Sequence, residues 1–249
     1  MSKLVLLGDE AIAQGALDAG LSGVYAYPGT PSTEITEYIQ RSKDAAERNI
    51  HREWSGNEKT AMEAGLGMSY AGKRALVCMK HVGLNVAADA FINAGITGVN
   101  GGLLVVAADD PSMHSSQNEQ DSRYYGKFAL VPVLEPSSQQ EAYELTRYGF
   151  ELSERFKLPV LLRITTRLAH SRSAVERGAV MRENILKLPG DLKQFILLPS
   201  LARTRYKSLL TNQERLIAEG ELSGVNLVVE GAEKRMGILA CGLAFNYYM

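Results

Sequence analysis

Glu58 is the residue of this chain whose type and position most clearly suggest chemistry. It opens a stretch rich in alanine, glycine and methionine, directly after a short extended segment from Ile50 to Trp54. Because α/β proteins place ligands at the carboxyl edge of a parallel sheet, a carboxylate at such a junction is a candidate for proton transfer. A glutamate in the first turn of an ordinary exposed helix, where it stabilises the helix dipole, is the competing interpretation.

Two further strand-to-helix junctions accompany Glu58. In the segment Tyr27–Glu34, two prolines fix φ angles and Gly29 allows unusual ones, so the turn either presents the Thr30 hydroxyl or simply starts a helix. Lys80 and His81 follow another apolar run; a cation there suits a carboxylate ligand and a histidine can move protons, although an exposed loop pair fits equally. Three such junctions in one short domain predict a composite pocket.

Short apolar runs alternate with amphipathic stretches from Lys3 to about Thr166, which predicts an α/β fold with a doubly wound, mainly parallel sheet covered on both faces. Right-handed crossovers bring the strand carboxyl ends, and with them the three junctions, to one edge. The predicted strands are Lys3–Leu7, Gly23–Tyr27, Ile50–Trp54, Ala75–Met79, Leu103–Ala107, Pro132–Glu135 and Pro159–Ile164. The predicted helices are Glu10–Ala19, Ser32–Glu47, Glu58–Ala71, Asn85–Gly95 and Ser138–Phe156.

The pattern divides the chain into three parts. Residues 1–167 form the α/β domain, and residues 168–235 form a linker that contains a helix from about Leu201 to Glu219. His170, at the start of the linker, is interpreted as a solvated residue. Residues 236–249 have the pattern of a new strand and the first turn of a helix. Because such a unit cannot bury its apolar face alone, we expect it to be the start of a truncated second domain. The chain would then be a fragment of a longer protein, or one half of a split one.

Composition excludes several classes of function. The 249 residues are 45% hydrophobic and 22% charged with a net charge of -1, which gives no electrostatic case for a nucleic-acid partner, and no apolar run suits a membrane span. Only two cysteines are present, so a cysteine-ligated cluster cannot form within the chain. A cytoplasmic protein is expected. Gly8-Asp9-Glu10 replaces the Gly-x-Gly-x-x-Gly of a dinucleotide-binding domain after the first strand.

Several segments together resemble a known family. They are Tyr27–Ser32, Asn57–Ala61, Met79–Asp89 and the polar stretch Asp109–Asp121, with Gly237–Ala244 resembling the start of the family's next domain. These segments look like the amino-terminal part of the indolepyruvate:ferredoxin oxidoreductase alpha subunits, thiamine-diphosphate enzymes of the 2-oxoacid:ferredoxin oxidoreductase superfamily. The similarity extends over essentially the whole chain.

The resemblance implies a pyrimidine-binding domain in which Glu58 activates the aminopyrimidine ring of thiamine diphosphate. It places Tyr27, Gly29 and Thr30 in the cofactor pocket. It further implies an enzyme that oxidatively decarboxylates an aryl 2-oxo acid to an acyl-coenzyme A and reduces ferredoxin. Burial would let the Glu58 carboxyl exchange a proton near neutral pH, whereas its helix N-terminus favours the anion.

One position departs from the wider superfamily. Pyruvate-type relatives carry an arginine that binds the substrate carboxylate after the strand corresponding to Leu103–Ala107, whereas this chain has Asp109-Asp110. The departure argues against simple pyruvate as substrate. The remaining candidate partners for the substrate carboxylate are Lys80, His81, His114 and Arg123.

The resemblance also implies what other sequence must supply. No Gly-Asp-Gly motif with the context of a diphosphate and Mg²⁺ site is present, so Mg²⁺ and the iron–sulfur clusters belong to further alpha-subunit domains or a separate subunit. A beta subunit, ferredoxin, coenzyme A and an oligomeric assembly are the expected partners, and the isolated chain is expected to be inactive. A non-catalytic module that keeps the fold for partner binding or regulation is the alternative.

Overall fold

The computed structural model describes residues 3–231 and 233–249. Its strands are β1 (Lys3–Leu7), β2 (Gly23–Ala26), β3 (His51–Trp54), β4 (Ala75–Lys80), β5 (Leu103–Asp109), β6 (Val133–Leu134), β7 (Val160–Thr165) and β8 (Arg172–Glu176). Its α-helices are α1 (Gly8–Asp18), α2 (Thr33–Arg41), α3 (Lys43–Glu47), α4 (Glu58–Tyr70), α5 (His81–Thr97), α6 (Arg123–Ala129), α7 (Gln139–Phe156), α8 (Thr166–Ala169), α9 (Pro199–Leu222) and α10 (Phe245–Tyr248).

The central sheet has six parallel strands in the order β3-β2-β4-β5-β7-β6. From β2 the chain moves outward to β3 and then returns to place β4 on the other side of β2, so the strand order reverses between β2 and β4. Such a switch point opens a crevice at the carboxyl ends of the strands, where α/β proteins bind ligands. The turn after β2 and the start of α5 after β4 border this crevice.

Two hydrophobic layers cover the sheet. Alternate residues of β4 point to opposite sides, so Leu76 and Cys78 pack with α1, α2 and α7, whereas Val77 and Met79 pack with α4 and α5. All four of these side chains are fully buried. The predicted doubly wound, mainly parallel α/β fold is therefore confirmed.

The first predicted strand lies outside the main sheet. β1 pairs antiparallel with β8, from Lys3 opposite Glu176 to Leu7 opposite Arg172, and β8 is absent from the predicted strands. Val5 remains mostly exposed, whereas β2, β4, β5 and β7 of the main sheet consist largely of buried residues. The apolar content of β1 indicates a strand but does not specify its partner, because that partner lies about 170 residues further along the chain.

Three further boundaries differ from the prediction. The predicted helix Ser32–Glu47 breaks at Ser42, whose backbone is extended and whose hydroxyl accepts a hydrogen bond from the Ala45 amide. α6 is absent from the predicted helices and begins at Arg123, just after the polar stretch Asp109–Asp121. Among the described residues 237–241 no strand forms, because a strand needs a neighbour to complete its hydrogen bonds; a 3₁₀ turn and α10 follow.

The segment after residue 167 packs back onto the domain. Arg177 forms an ion pair with the buried Asp18, and the amide of Met181 donates to the Asp18 carbonyl. Further along, the Gln213 side chain of α9 donates to the carbonyl of Leu130. The predicted boundaries at 167 and 235 stay predictions. In the part of the chain that the structure describes, no helix is long and apolar enough to cross a membrane.

Candidate functional site at the carboxyl edge of the sheet

Glu58 lies at the first position of α4 and faces α5. The Asn57 side chain accepts a hydrogen bond of 2.9 Å from the Thr60 amide, which fixes the start of the helix. A Cβ atom built on Gly83 would lie 2.7 Å from Glu58 Oε1, so the carboxylate rests against the glycine face of α5. Within residues 3–231 and 233–249 the carboxylate has no hydrogen-bond partner, and it is partly exposed. It is therefore available to a ligand.

The turn after β2 is held by its own side chains and leans on Lys80. Ser32 Oγ donates to the Gly29 carbonyl at 2.8 Å, and the Gly29 amide donates to Thr33 Oγ1 at 3.0 Å. A Cβ on Gly29 would lie 3.3 Å from Lys80 Cβ. Tyr27 and Thr30 are both exposed. The turn thus reaches the start of α5 with its tyrosine and hydroxyl facing outward.

The polar loop of residues 110–122 folds over the start of α5. Lys80 Nζ donates to the Ser115 carbonyl at 2.7 Å, and His81 Nε2 lies 3.1 Å from the Asn118 carbonyl oxygen. His81 is fully buried. These contacts place the loop beside the three strand-to-helix junctions.

Asp110 organises the same loop. Its carboxylate accepts hydrogen bonds from the Ser115 amide at 2.8 Å, from Ser116 Oγ at 2.5 Å and from Thr166 Oγ1 at 2.7 Å. Burial alone would raise the pKa of Asp110, but these hydrogen bonds outweigh it and lower the pKa well below its usual range. An anionic Asp110 therefore ties the loop to the start of α8.

A buried arginine lies on β7, the strand beside β5. Arg163 of β7 contacts Asp109 at 2.5 Å and also pairs with Glu135, and the Ser122 side chain donates to Asp109. Arg123 pairs with Asp121 at 2.6 Å and with Glu135 at 3.4 Å. The hydrogen bond to Asp121 raises the pKa of Arg123. Both arginines are thus already neutralised by carboxylates.

The structure brings half of the eight predicted site residues together. Glu58, Gly29, Lys80 and His81 meet around the first turn of α5 through the contacts given above. His114 lies exposed on the loop, and Arg123 belongs to the ion-pair network behind it. Their roles stay predictions.

The sequence analysis assigned no structural role to Gly83, Asp110 or Arg163. A glycine three residues into a helix that starts directly after a strand is a signal of close approach, and it was available for Gly83. No comparable signal marks Arg163, because its carboxylate partners come from other strands and loops.

The fold and this site define a class: a doubly wound α/β ligand-binding domain with a carboxylate at the switch point of its sheet. The family described as pyruvate flavodoxin/ferredoxin oxidoreductase, thiamine diP-bdg, matches residues 14–194, and the chain belongs to this family. The resemblance of its motifs to the 2-oxoacid:ferredoxin oxidoreductases is thereby confirmed.

Curated relatives extend the likeness over nearly the whole chain. "Indolepyruvate oxidoreductase subunit IorA" of Archaeoglobus fulgidus is 45% identical over 98% of this chain and 40% of its own length. The protein of the same name from Thermococcus kodakarensis is 45% identical over 98% of the chain and 38% of its length. The chain thus spans about two fifths of these relatives.

A solved structure shows the same fold. It is a 2-oxoglutarate:ferredoxin oxidoreductase from Magnetococcus marinus with 2-oxoglutarate, coenzyme A and succinyl-CoA bound. The match has a TM-score of 0.68 at 18% identity and covers 87% of this chain and 45% of that one.

Proposed function

We propose that this chain forms the aminopyrimidine-activating part of a thiamine-diphosphate-dependent arylpyruvate:ferredoxin oxidoreductase. The intact enzyme would convert an aryl 2-oxo acid, with indolepyruvate as the first candidate, to an acyl-coenzyme A while reducing ferredoxin. The observation that carries the proposal is the Glu58 carboxylate, which rests on Gly83 at the switch point of the sheet without a protein hydrogen-bond partner in the described ranges. The names of the relatives at 44–45% identity support the choice of substrate class.

The residues present fit the pyrimidine end of thiamine diphosphate. Gly83 leaves the space that a Cβ would fill, and Glu58 offers a carboxylate that can hydrogen-bond a ring nitrogen. When bound, the cofactor supplies an electron sink for loss of CO₂ from a 2-oxo acid. Glu58 would hold and exchange a proton at its carboxyl oxygen.

Lys80 is the best placed of the four candidate partners for a substrate carboxylate. Its ammonium group donates to a neutral carbonyl and, in the described part of the chain, pairs with no carboxylate. Arg123, by contrast, is already paired with two carboxylates, and His81 is buried against the loop. Lys80 thus lies beside Gly29 without a carboxylate partner in those residues, whereas His114 is exposed on the loop.

Other sequence would complete the site. We propose that further alpha-subunit domains, or a separate subunit, hold the diphosphate and Mg²⁺, and that the clusters, a beta subunit and ferredoxin join them in a cytoplasmic oligomer. Large exposed apolar side chains lie at the end of β3 and in the segments that follow β2, β4 and β5, and they suit such a partner: Tyr27, Trp54, Val86, Tyr124 and Phe128.

The test compares the chain alone with the assembled enzyme, meaning this chain combined with the remaining sequence that its relatives contain. We expect the assembled enzyme to reduce a viologen dye with indolepyruvate and coenzyme A, and to prefer arylpyruvates over pyruvate. The chain alone should show no such activity. Dye reduction by the isolated chain would contradict the division of the site, and an assembled enzyme inactive with every 2-oxo acid would favour the non-catalytic module.

Gly83→Ala is expected to lower the turnover of the assembled enzyme by roughly tenfold or more. The new Cβ would displace the Glu58 carboxylate, and a misplacement of about 1 Å at a reacting group can cost up to about a hundredfold. Dye-reduction kinetics measure the effect. Gly67→Ala is the matched control, because a Cβ there meets nothing within 4 Å and should stabilise α4 by about 0.5–1 kcal/mol without loss of activity. Equal turnover for both variants would contradict the role of Gly83.

A further inference from the structure

Three side chains distant in sequence converge beside the turn after β2. Asp9 lies in the first turn of α1, Glu34 in the first turn of α2, and His170 directly after α8. One potential ligand atom from each lies within 4.8 Å of the other two. The family resemblance and the proposed function assign no role to any of these residues.

The two carboxylates lack the partners that buried charges normally have. Asp9 is 0% exposed, and no protein group in the described ranges hydrogen-bonds either of its oxygens or Glu34 Oε2. No lysine or arginine among those residues lies within 4.0 Å of either carboxylate. The arrangement therefore calls for a counter-charge between the two acids.

We propose that Asp9, Glu34 and His170 form a binding site for a first-row divalent metal ion, with Zn²⁺ as the ion of choice. Two carboxylate oxygens and one imidazole nitrogen are three protein ligands of the kind that zinc takes, with a fourth position left for water. His170 Nε2 and Glu34 Oε1 are 3.5 Å apart, against roughly 3.3–3.5 Å between neighbouring tetrahedral ligands at zinc. The imidazole ligand disfavours Mg²⁺ and Ca²⁺, which prefer oxygen donors.

The exposure of the ligands suits entry of an ion from solvent. The side chains of His170 and Glu34 are 36% and 32% exposed, whereas Asp9 closes the inner side of the site. A bound ion joins the first turns of α1 and α2 to the end of α8. Because Glu34 follows Thr33, whose hydroxyl holds the Gly29 amide, the ion also stiffens the turn that carries Thr30. This role does not depend on the proposed function.

Isothermal titration calorimetry, in which zinc is added to the chelator-treated chain, tests the site. We expect one equivalent to bind, and Asp9→Asn, Glu34→Gln and His170→Gln each to weaken binding by at least about tenfold. Mn²⁺ titration followed by electron paramagnetic resonance, and Mg²⁺ as a competitor, establish the preference for transition metals. Circular dichroism checks that each variant is folded, and the exposed position of His170 keeps one variant informative if Asp9→Asn does not fold.

Two matched controls separate this site from surface binding. Glu37→Gln changes a carboxylate one turn further along α2, and His51→Gln changes an exposed histidine of β3; both should leave zinc affinity unchanged. The proposal is overturned if the chain binds no stoichiometric zinc at millimolar concentration. It is likewise overturned if His170→Gln binds as tightly as the unmodified chain, or if His51→Gln accounts for the binding.

Discussion

Glu58→Gln in the assembled enzyme is expected to lower 2-oxo-acid turnover by about 10²–10⁴-fold, the usual contribution of a positioned proton-transfer group. Glutamine keeps the shape of the side chain and its contact with Gly83, but it cannot exchange a proton. Because the site lies on the surface of the sheet edge and the carboxylate has no protein hydrogen bond to lose in the described ranges, folding should be unaffected. Dye reduction with indolepyruvate under saturating cofactor measures the loss.

The control is Glu63→Gln, which removes an exposed carboxylate from the same helix. Among the residues that the structure describes, Glu63 pairs only with Lys59, at 3.8 Å, and such exposed pairs contribute about 0.5 kcal/mol or less. We therefore expect this variant to keep full turnover and assembly. If Glu58→Gln also keeps full turnover while the complex assembles normally, the chain is a non-catalytic module and the proposed function fails.

The sequence predicts the fold well because the buried strands of a parallel sheet have a distinctive composition. β4 and β5 are nearly continuous apolar runs, and their carboxyl ends carry the polar residues that form the site. β1 shows the limit of this reasoning. Its apolar residues predict a strand, but the choice between a parallel neighbour and the distant β8 depends on tertiary pairing that local pattern does not encode.

The sequence predicts which residues lie at the carboxyl edge of the sheet, but it does not predict the contacts between their side chains. The positions of Glu58, Thr30 and Lys80 after strands follow from crossover geometry, and the structure brings their segments together. His170 illustrates the converse: sequence context makes it a solvated linker residue, yet its Nε2 lies 3.5 Å from Glu34 Oε1. Contacts between residues more than 100 positions apart arise only once the sheet has formed.

The sequence likewise does not indicate the ion pairs of Arg163. These ion pairs connect the core with the site. Arg163 lies on a central strand of the sheet, beside Ala107 of β5, and is almost fully buried. It holds Asp109, and through Glu135 it is linked to Arg123 at the end of the polar loop. The two aspartates at the end of β5 thus have different roles: Asp109 completes a buried ion pair, and Asp110 shapes the loop.

Arg163→Met should therefore destabilise the chain by about 3–5 kcal/mol, because it leaves the fully buried Asp109 without its cation and leaves the mostly buried Glu135 with Arg123 alone. Circular dichroism monitors unfolding in urea, and we expect a lower urea concentration at the midpoint with an unchanged dependence of the unfolding free energy on urea.

Arg172→Met is the control: its side chain is 60% exposed and lies 4.0 Å from Glu10, so a change within about 0.5 kcal/mol is expected. An Arg163 variant as stable as the Arg172 variant would show that the network contributes no net stability. Partial recovery in the double variant Arg163→Met and Asp109→Asn would identify the stranded Asp109 charge as the cause of the loss, since removing both members of a buried pair costs less than removing one.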